Sequence, residues 1–195
     1  KKMRPIVITG KIGSGKSTLC KLFEKYNYFI INSDVYAKDL IRENKIIRES
    51  LTKYYGDRIT LDQTLSLDKL KNILCSSRKD KDIIDSIIHP VFYKEINEFI
   101  KNIKNNKIVI EIPLVETCKS LDMDHVVIYV DTEKLIRKTR YLQKKSTDDM
   151  IFENLDKFQI DREASMKLSD YIISNNGNMD ELIVNFNDLY RNLNK

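Results

Sequence analysis

The segment Gly10-Lys11-Ile12-Gly13-Ser14-Gly15-Lys16-Ser17-Thr18 constrains the fold more than any other part of the chain. It satisfies the pattern G-x-x-x-x-G-K-[ST] and stands between an apolar run, Arg4–Thr9, and a helical pattern from about Lys16 to Tyr26. Glycines allow a backbone to wrap closely enough for successive N–H groups to face phosphate oxygens. The start of the following helix adds roughly half a unit of positive charge at the same place. In such a loop Gly13, Ser14, Gly15 and Thr18 contribute backbone or hydroxyl groups to the phosphates. Lys16 bridges the terminal phosphates as a mobile point charge, and the Ser17 hydroxyl holds Mg²⁺. The segment therefore predicts binding of a nucleoside triphosphate.

The rest of the chain agrees with an α/β fold. Short runs rich in β-branched residues recur at Tyr28–Asn32, Lys107–Ile112, Val126–Asp131 and Tyr171–Ser174, separated by amphipathic stretches. With Arg4–Thr9 they predict five parallel strands covered on both faces, a three-layer arrangement. Two regions interrupt the alternation. About 70 residues after Asp34 carry helical patterns (Asp34–Tyr55, Leu67–Ser76, Asp82–Ile103) broken by Gly56 and by Pro90. Thr132–Leu168 is helical and heavily charged. The expected organisation is one domain over residues 1–195. Its core spans about 3–34, 105–131 and 169–195, with one helical excursion over 35–104 and another over 132–168.

Composition removes several classes. Lys and Arg number 34 against 29 Asp and Glu, a net charge of +5, yet the basic residues form no long run. That predicts no nucleic-acid partner. No stretch approaches the roughly 20 apolar residues of a membrane helix. No apolar segment after a basic start reads as a signal peptide, so the expected location is the cytoplasm. Cys20, Cys75 and Cys118 lie far apart without a C-x-x-C pair, which argues against disulfides or a zinc finger.

Among triphosphate-binding proteins, a guanine-specific switch would carry N-K-x-D after a late strand, and Asn175-Asn176-Gly177 does not match. A motor ATPase would place paired acids at a strand end. Glu111 is followed by Ile112-Pro113, and Asp131 by Thr132. A small-molecule kinase needs a carboxylate near the γ-phosphate, and Asp34 follows the second strand, where ligands of open α/β sheets bind. On pattern alone Asp34 is equally a general base or an N-cap of the next helix. Arg137, Arg140 and Lys144, spaced by three and four, share one helical face, either a phosphate-facing stripe or a solvated one paired with Glu133 or Asp148.

An ordered set of motifs spans nearly the whole chain. It comprises Thr9–Thr18, Asp34 with Ala37, His89-Pro90, Glu111-Ile112-Pro113-Leu114 with Glu116, Gln159, Arg162-Glu163, and Ser169–Ile173 with Asn175. The set resembles the dephospho-CoA kinase family. The resemblance implies a P-loop kinase core with a central five-stranded parallel sheet, a helical acceptor-binding excursion and a helical lid. The implied reaction is ATP-dependent, Mg²⁺-assisted phosphorylation of the ribose 3′-hydroxyl of dephospho-CoA. It further implies Asp34 as base, Arg140 as the lid arginine, and Arg162 and Asn175 near the nucleotide. His89, Pro113 and Leu114 would contact the acceptor, and the protein would be a monomer or weak homo-oligomer. Lys11 and Asn32 depart from the pattern, which usually has glycine at the first position and often an acid at the second. Lys144 stands where a second lid arginine is frequent, and Pro113–Glu116 is one residue shorter than usual. The remaining alternatives are a P-loop kinase for a nucleoside, nucleotide or shikimate-like acceptor, and a non-catalytic ATP-binding switch.

Overall fold

The computed structural model describes residues 4–103, 107–145 and 149–194. The expected boundaries at residues 3 and 104–105, and Asp148, lie outside them. Residues 34–102 form one compact unit and the remaining residues another.

In the larger unit five strands build one sheet: β1 (Ile6–Thr9), β2 (Phe29–Asn32), β5 (Ile108–Glu111), β6 (Val126–Asp131) and β7 (Tyr171–Ser174). Their order is β2-β5-β1-β6-β7, and every pairing is parallel. The three inner strands are buried along their whole length, while β2 and β7 at the edges alternate in exposure. That is the pattern expected where helices cover both faces of the centre. Helices α1 (Lys16–Glu24) and α9 (Met179–Leu193) cover one face. Leu19, Phe23, Leu182 and Phe186 there meet Ile6, Ile8, Val109 and Ile128. Phe23 is the pivot, edge-on to Phe186 at 4.9 Å and to Tyr28 at 5.2 Å between ring centroids. Between β6 and β7 run α6 (Lys134–Lys145), α7 (Asp149–Phe158) and α8 (Arg162–Lys167); a 3₁₀ helix, Val115–Ser120, follows β5.

The smaller unit consists of α2 (Ser33–Glu43), α3 (Lys45–Tyr55), a hairpin of β3 (Thr60–Leu61) and β4 (Thr64–Leu65), α4 (Leu67–Ser76) and α5 (Arg78–Asn102). The single helix expected over Asp34–Tyr55 is two, because the Asn44 side chain accepts from the Ile47 N–H and caps a new start. Gly56 ends α3 as expected, at φ 53°. Pro90 does not break its helix: α5 is continuous over 25 residues with the proline inside. The ring removes a donor to the Ser86 carbonyl, but Ile84, Ile88, Phe92 and Ile96 are buried on both sides of it. Packing of that face outweighs the lost bond. Among the described residues no helix is long and apolar enough to cross a membrane.

Phe23 is fully buried at the contact of α1, α9 and the sheet. Phe23→Ala is expected to lower unfolding stability by about 3–5 kcal/mol. Urea melts check this, and a loss below about 1 kcal/mol would show that the cluster repacks without it.

Candidate active site

Because every strand of the sheet is parallel, all five carboxyl ends lie along one edge. β1 delivers the glycine-rich loop there, β5 delivers Glu111, β6 delivers Asp131-Thr132 and β7 delivers Asn175.

The loop is held from outside itself. Gly13 and Gly15 have φ of 77° and 93°, a region L side chains avoid. A Cβ on Gly13 would lie 2.3 Å from the Arg137 carbonyl oxygen, and one on Gly15 would lie 2.2 Å from Asn175 Nδ2. The Ile12 carbonyl accepts Arg137 Nη1 at 3.0 Å. The Ser14 carbonyl accepts Asn175 Nδ2 at 2.8 Å and Thr132 Oγ1 at 3.0 Å. In a trans peptide the C=O and the following N–H point in opposite directions. Anchoring these two carbonyls from the protein side therefore turns the N–H groups of Gly13 and Gly15 the other way, as an anion cradle requires. Gly15 is also the N-cap of α1 and has no side chain to cap it, so the first turn presents backbone donors to an anion.

Lys16 Nζ donates to the carbonyls of Gly10 (2.9 Å) and Lys11 (3.3 Å), which carries the ammonium across the loop. Ser17 Oγ donates to Glu111 Oε1 at 2.9 Å, and Glu111 Oε2 accepts Asn32 Nδ2 at 2.6 Å. Asn32 and Glu111 are register partners on β2 and β5, so pairing of the strands itself brings them together. A hydroxyl beside a buried carboxylate fits Mg²⁺, which takes few protein oxygens and completes its shell with phosphate and water. Among the described residues no group of three or more His, Cys, Asp or Glu forms a dedicated metal cage.

The arginines divide. Arg137 is buried, with Nε on the Thr132 carbonyl and Nη1 on Asp156 Oδ1 at 2.7 Å, so it belongs beneath the loop and not to a phosphate-facing stripe. Arg140 is half-buried and donates to the carbonyls of Asn175 (2.7 Å) and Gly177 (3.0 Å). Lys144 is exposed. Arg162 forms a two-point pair with Asp131 at 2.7 and 2.6 Å, and this hydrogen bonding pushes its pKa up. The resemblance implies a nucleotide contact for Asn175, but its amide lies on Ser14, under the loop. Pro113 offers its carbonyl to Gln159 Nε2 at 2.9 Å, and the Leu114 carbonyl accepts the Thr117 hydroxyl. Gln159 Oε1 takes the Ile12 N–H at 2.7 Å. Thr18 closes the first turn of α1, its N–H on the Gly15 carbonyl.

Asp34 and His89 belong to the smaller unit. α2 starts at Ser33, so Asp34 lies in its first turn and not at the cap; it is exposed. Among the described residues its carboxylate enters no side-chain hydrogen bond or ion pair. His89 sits within α5, its Nε2 3.6 Å from Asp85 Oδ1.

Glu111 and Asp156 were not expected as site residues, although both left a trace. Glu111 ends an otherwise apolar buried strand, and Asp156 stands four residues after the buried Phe152, at an apolar phase of α7.

A family model described as dephospho-CoA kinase matches residues 4–181. A dephospho-CoA kinase of Leptospira interrogans is 31% identical over 198 residues, covering 99% of this chain and 94% of its own. One from Fusobacterium nucleatum is 30% identical over 183 residues, covering 91% and 92%. Among solved structures, the dephospho-CoA kinase from Campylobacter jejuni superposes with a TM-score of 0.65 at 20% identity, over 97% of this chain and 96% of its own. A shikimate kinase from Bacteroides thetaiotaomicron gives 0.56 at 17% identity, over 99% of each chain. These two likenesses concern the fold.

Gly13→Ala tests the loop geometry. A left-handed φ costs a non-glycine residue roughly 1–2 kcal/mol, and the added methyl meets a backbone oxygen. The variant is expected to lose at least about tenfold in ATP affinity by titration calorimetry. Unchanged affinity would contradict the conformation described.

Proposed function

The chain belongs to the dephospho-CoA kinase family, and we propose that its glycine-rich loop carries ATP while Asp34 acts as the base for the acceptor. The reaction is ATP-dependent phosphorylation of dephospho-CoA, giving coenzyme A and ADP in the last step of coenzyme A synthesis. The observation that supports our assignment of the loop is its bracing at Ile12 and Ser14, which leaves the Gly13 and Gly15 N–H groups for phosphate oxygens.

In our reading Gly13, Ser14, Gly15, Lys16, Ser17 and Thr18 hold the triphosphate. Lys16 gives up its loop carbonyls for the β- and γ-phosphates, exchanging neutral acceptors for charged ones. Ser17, held by Glu111, would be the protein ligand for Mg²⁺, which would supply charge neutralisation to the triphosphate. Arg140 is the arginine that remains for the transferring group, since Arg137 is committed beneath the loop. Arg162, fixed by Asp131 with its side chain 57% exposed, lies on the nucleotide side, and Asn175 acts on the nucleotide through Ser14.

Asp34 takes the proton of the ribose 3′-hydroxyl as that oxygen attacks the γ-phosphorus in line. Its place inside the first turn of α2, exposed and past the helix start at Ser33, supports the base over the helix-cap role. Residues 34–102, with His89 on α5, supply the acceptor-binding unit, and Pro113 and Leu114 add contacts from the loop after β5. Residues 132–168 form the lid. The expected setting is the cytoplasm, as a monomer or weak homo-oligomer.

Coupled ADP release over a panel of acceptors tests the substrate. Dephospho-CoA is expected to give turnover while nucleosides, nucleotides and shikimate do not; the reverse would defeat the assignment. Asp34→Asn is expected to lower kcat by about a hundredfold or more with ATP affinity unchanged. Near-normal kcat in that variant would remove Asp34 from the chemistry.

A further inference from the structure

Beneath the loop lies an ion cluster that the chemistry above leaves unused. Asp156, on α7, is 6% exposed. Its Oδ1 takes Arg137 Nη1 at 2.7 Å and Lys11 Nζ at 3.3 Å, and its Oδ2 lies 3.7 Å from Lys134 Nζ. Burial works against the charge of this carboxylate, but Arg137 and then Lys11 outweigh it and hold the carboxyl below its usual range. Arg137 and the Lys11 ammonium are themselves largely enclosed, with side chains 6% and 13% exposed. A buried carboxylate that orders two buried cations restricts where their other bonds go.

Those other bonds end on the loop. The nitrogen that Arg137 gives to Asp156 is the one that also reaches the Ile12 carbonyl. Lys11 is the residue just before, and the Ile12 N–H is taken by Gln159. Both polar backbone atoms of residue 12 are thus fixed from the 132–160 segment. The Ile12 carbonyl and the Gly13 N–H belong to one rigid peptide plane, so the direction of the first sets the direction of the second.

We propose that Asp156 is a positioning residue for the phosphate loop. Acting through Arg137 and Lys11, it locks the peptide between residues 12 and 13 so that the Gly13 N–H faces the triphosphate before nucleotide binds. The ordering cost is then met on folding and not on binding, which raises affinity without adding a contact to the ligand. The inference rests on the reading that this loop holds ATP. It also accounts for a lysine at position 11 of the loop: its charge is turned onto Asp156, away from the cradle.

The experiment is ATP titration by calorimetry, with KM for each substrate, on the wild type, Asp156→Asn and Lys134→Met. Asp156→Asn is expected to weaken ATP binding about tenfold, the size of one charged hydrogen bond. KM for dephospho-CoA should stay within twofold. Lys134→Met, which removes a cation from the same carboxylate but none from the loop, should leave ATP affinity unchanged. Tighter ATP binding by Asp156→Asn would overturn the proposal, because it would mean that the carboxylate only withholds Lys11 from the phosphates. Unchanged affinity, or equal losses in both substrate constants, would also overturn it. Should Asp156→Asn not fold, Asp156→Glu keeps the charge but displaces it by one methylene and carries the same expectation at smaller size. Failure of the wild type to bind ATP would defeat the loop reading itself; wild-type binding with an unaltered variant would defeat this proposal alone.

Discussion

A loop made of glycines so that phosphates can approach its backbone has no side chains with which to hold itself. That constraint organises the larger unit. The two peptides whose N–H groups matter, 12–13 and 14–15, are each fixed through their carbonyls by long-range partners. Arg137 comes from α6 and Asn175 from the end of β7, 125 and 161 residues away in sequence. Thr132 adds a second bond at Ser14, and Gln159 takes the remaining donor of Ile12. The strand order places the braces where they are needed, since β6 lies beside β1 and β7 lies beside β6. The cradle is thus a property of the sheet edge as much as of the motif.

The opposite neighbour of β1 is organised by the same logic. β5 lies between β1 and β2, and register puts Glu111 next to Asn32 and within reach of Ser17. A carboxylate 7% exposed needs donors for both oxygens, and here it has one for each. The strand that a motor ATPase would end in an acidic pair ends here in one acid, held by a hydroxyl and an amide.

The motif, the five strands and their parallel arrangement were legible because each is local: glycine spacing, β-branched runs and turn signals act within ten residues. The braces were not, since no local pattern tells which carbonyl Arg137 or Asn175 will meet. Arg137 illustrates the gap. Its spacing with Arg140 and Lys144 is a sound sign of a shared helical face, but a helix also turns part of such a face inward, and Phe152 and Asp156 receive it there. Pro90 failed as a stop signal for a related reason. The rule measures the lost hydrogen bond, whereas the continuity of α5 is decided by the apolar residues buried along it.

Two of the departures from the family pattern, Asn32 and Lys11, make sense together with their partners. An acid at position 32 would stand opposite Glu111 in register and press one of the two to stay protonated. Asparagine instead offers a donor to that oxygen and leaves Ser17 facing a carboxylate with one free partner fewer. Lysine at position 11 would by itself add an uncommitted charge to a loop built to receive anions, and a flexible one with rotamer freedom to lose. Asp156 removes both effects at once, by neutralising the ammonium and holding it against α7. Each of these residues is answered by a partner far away in sequence. In both cases the answering group is a carboxylate at a position that hydrophobic patterning reserves for an apolar side chain.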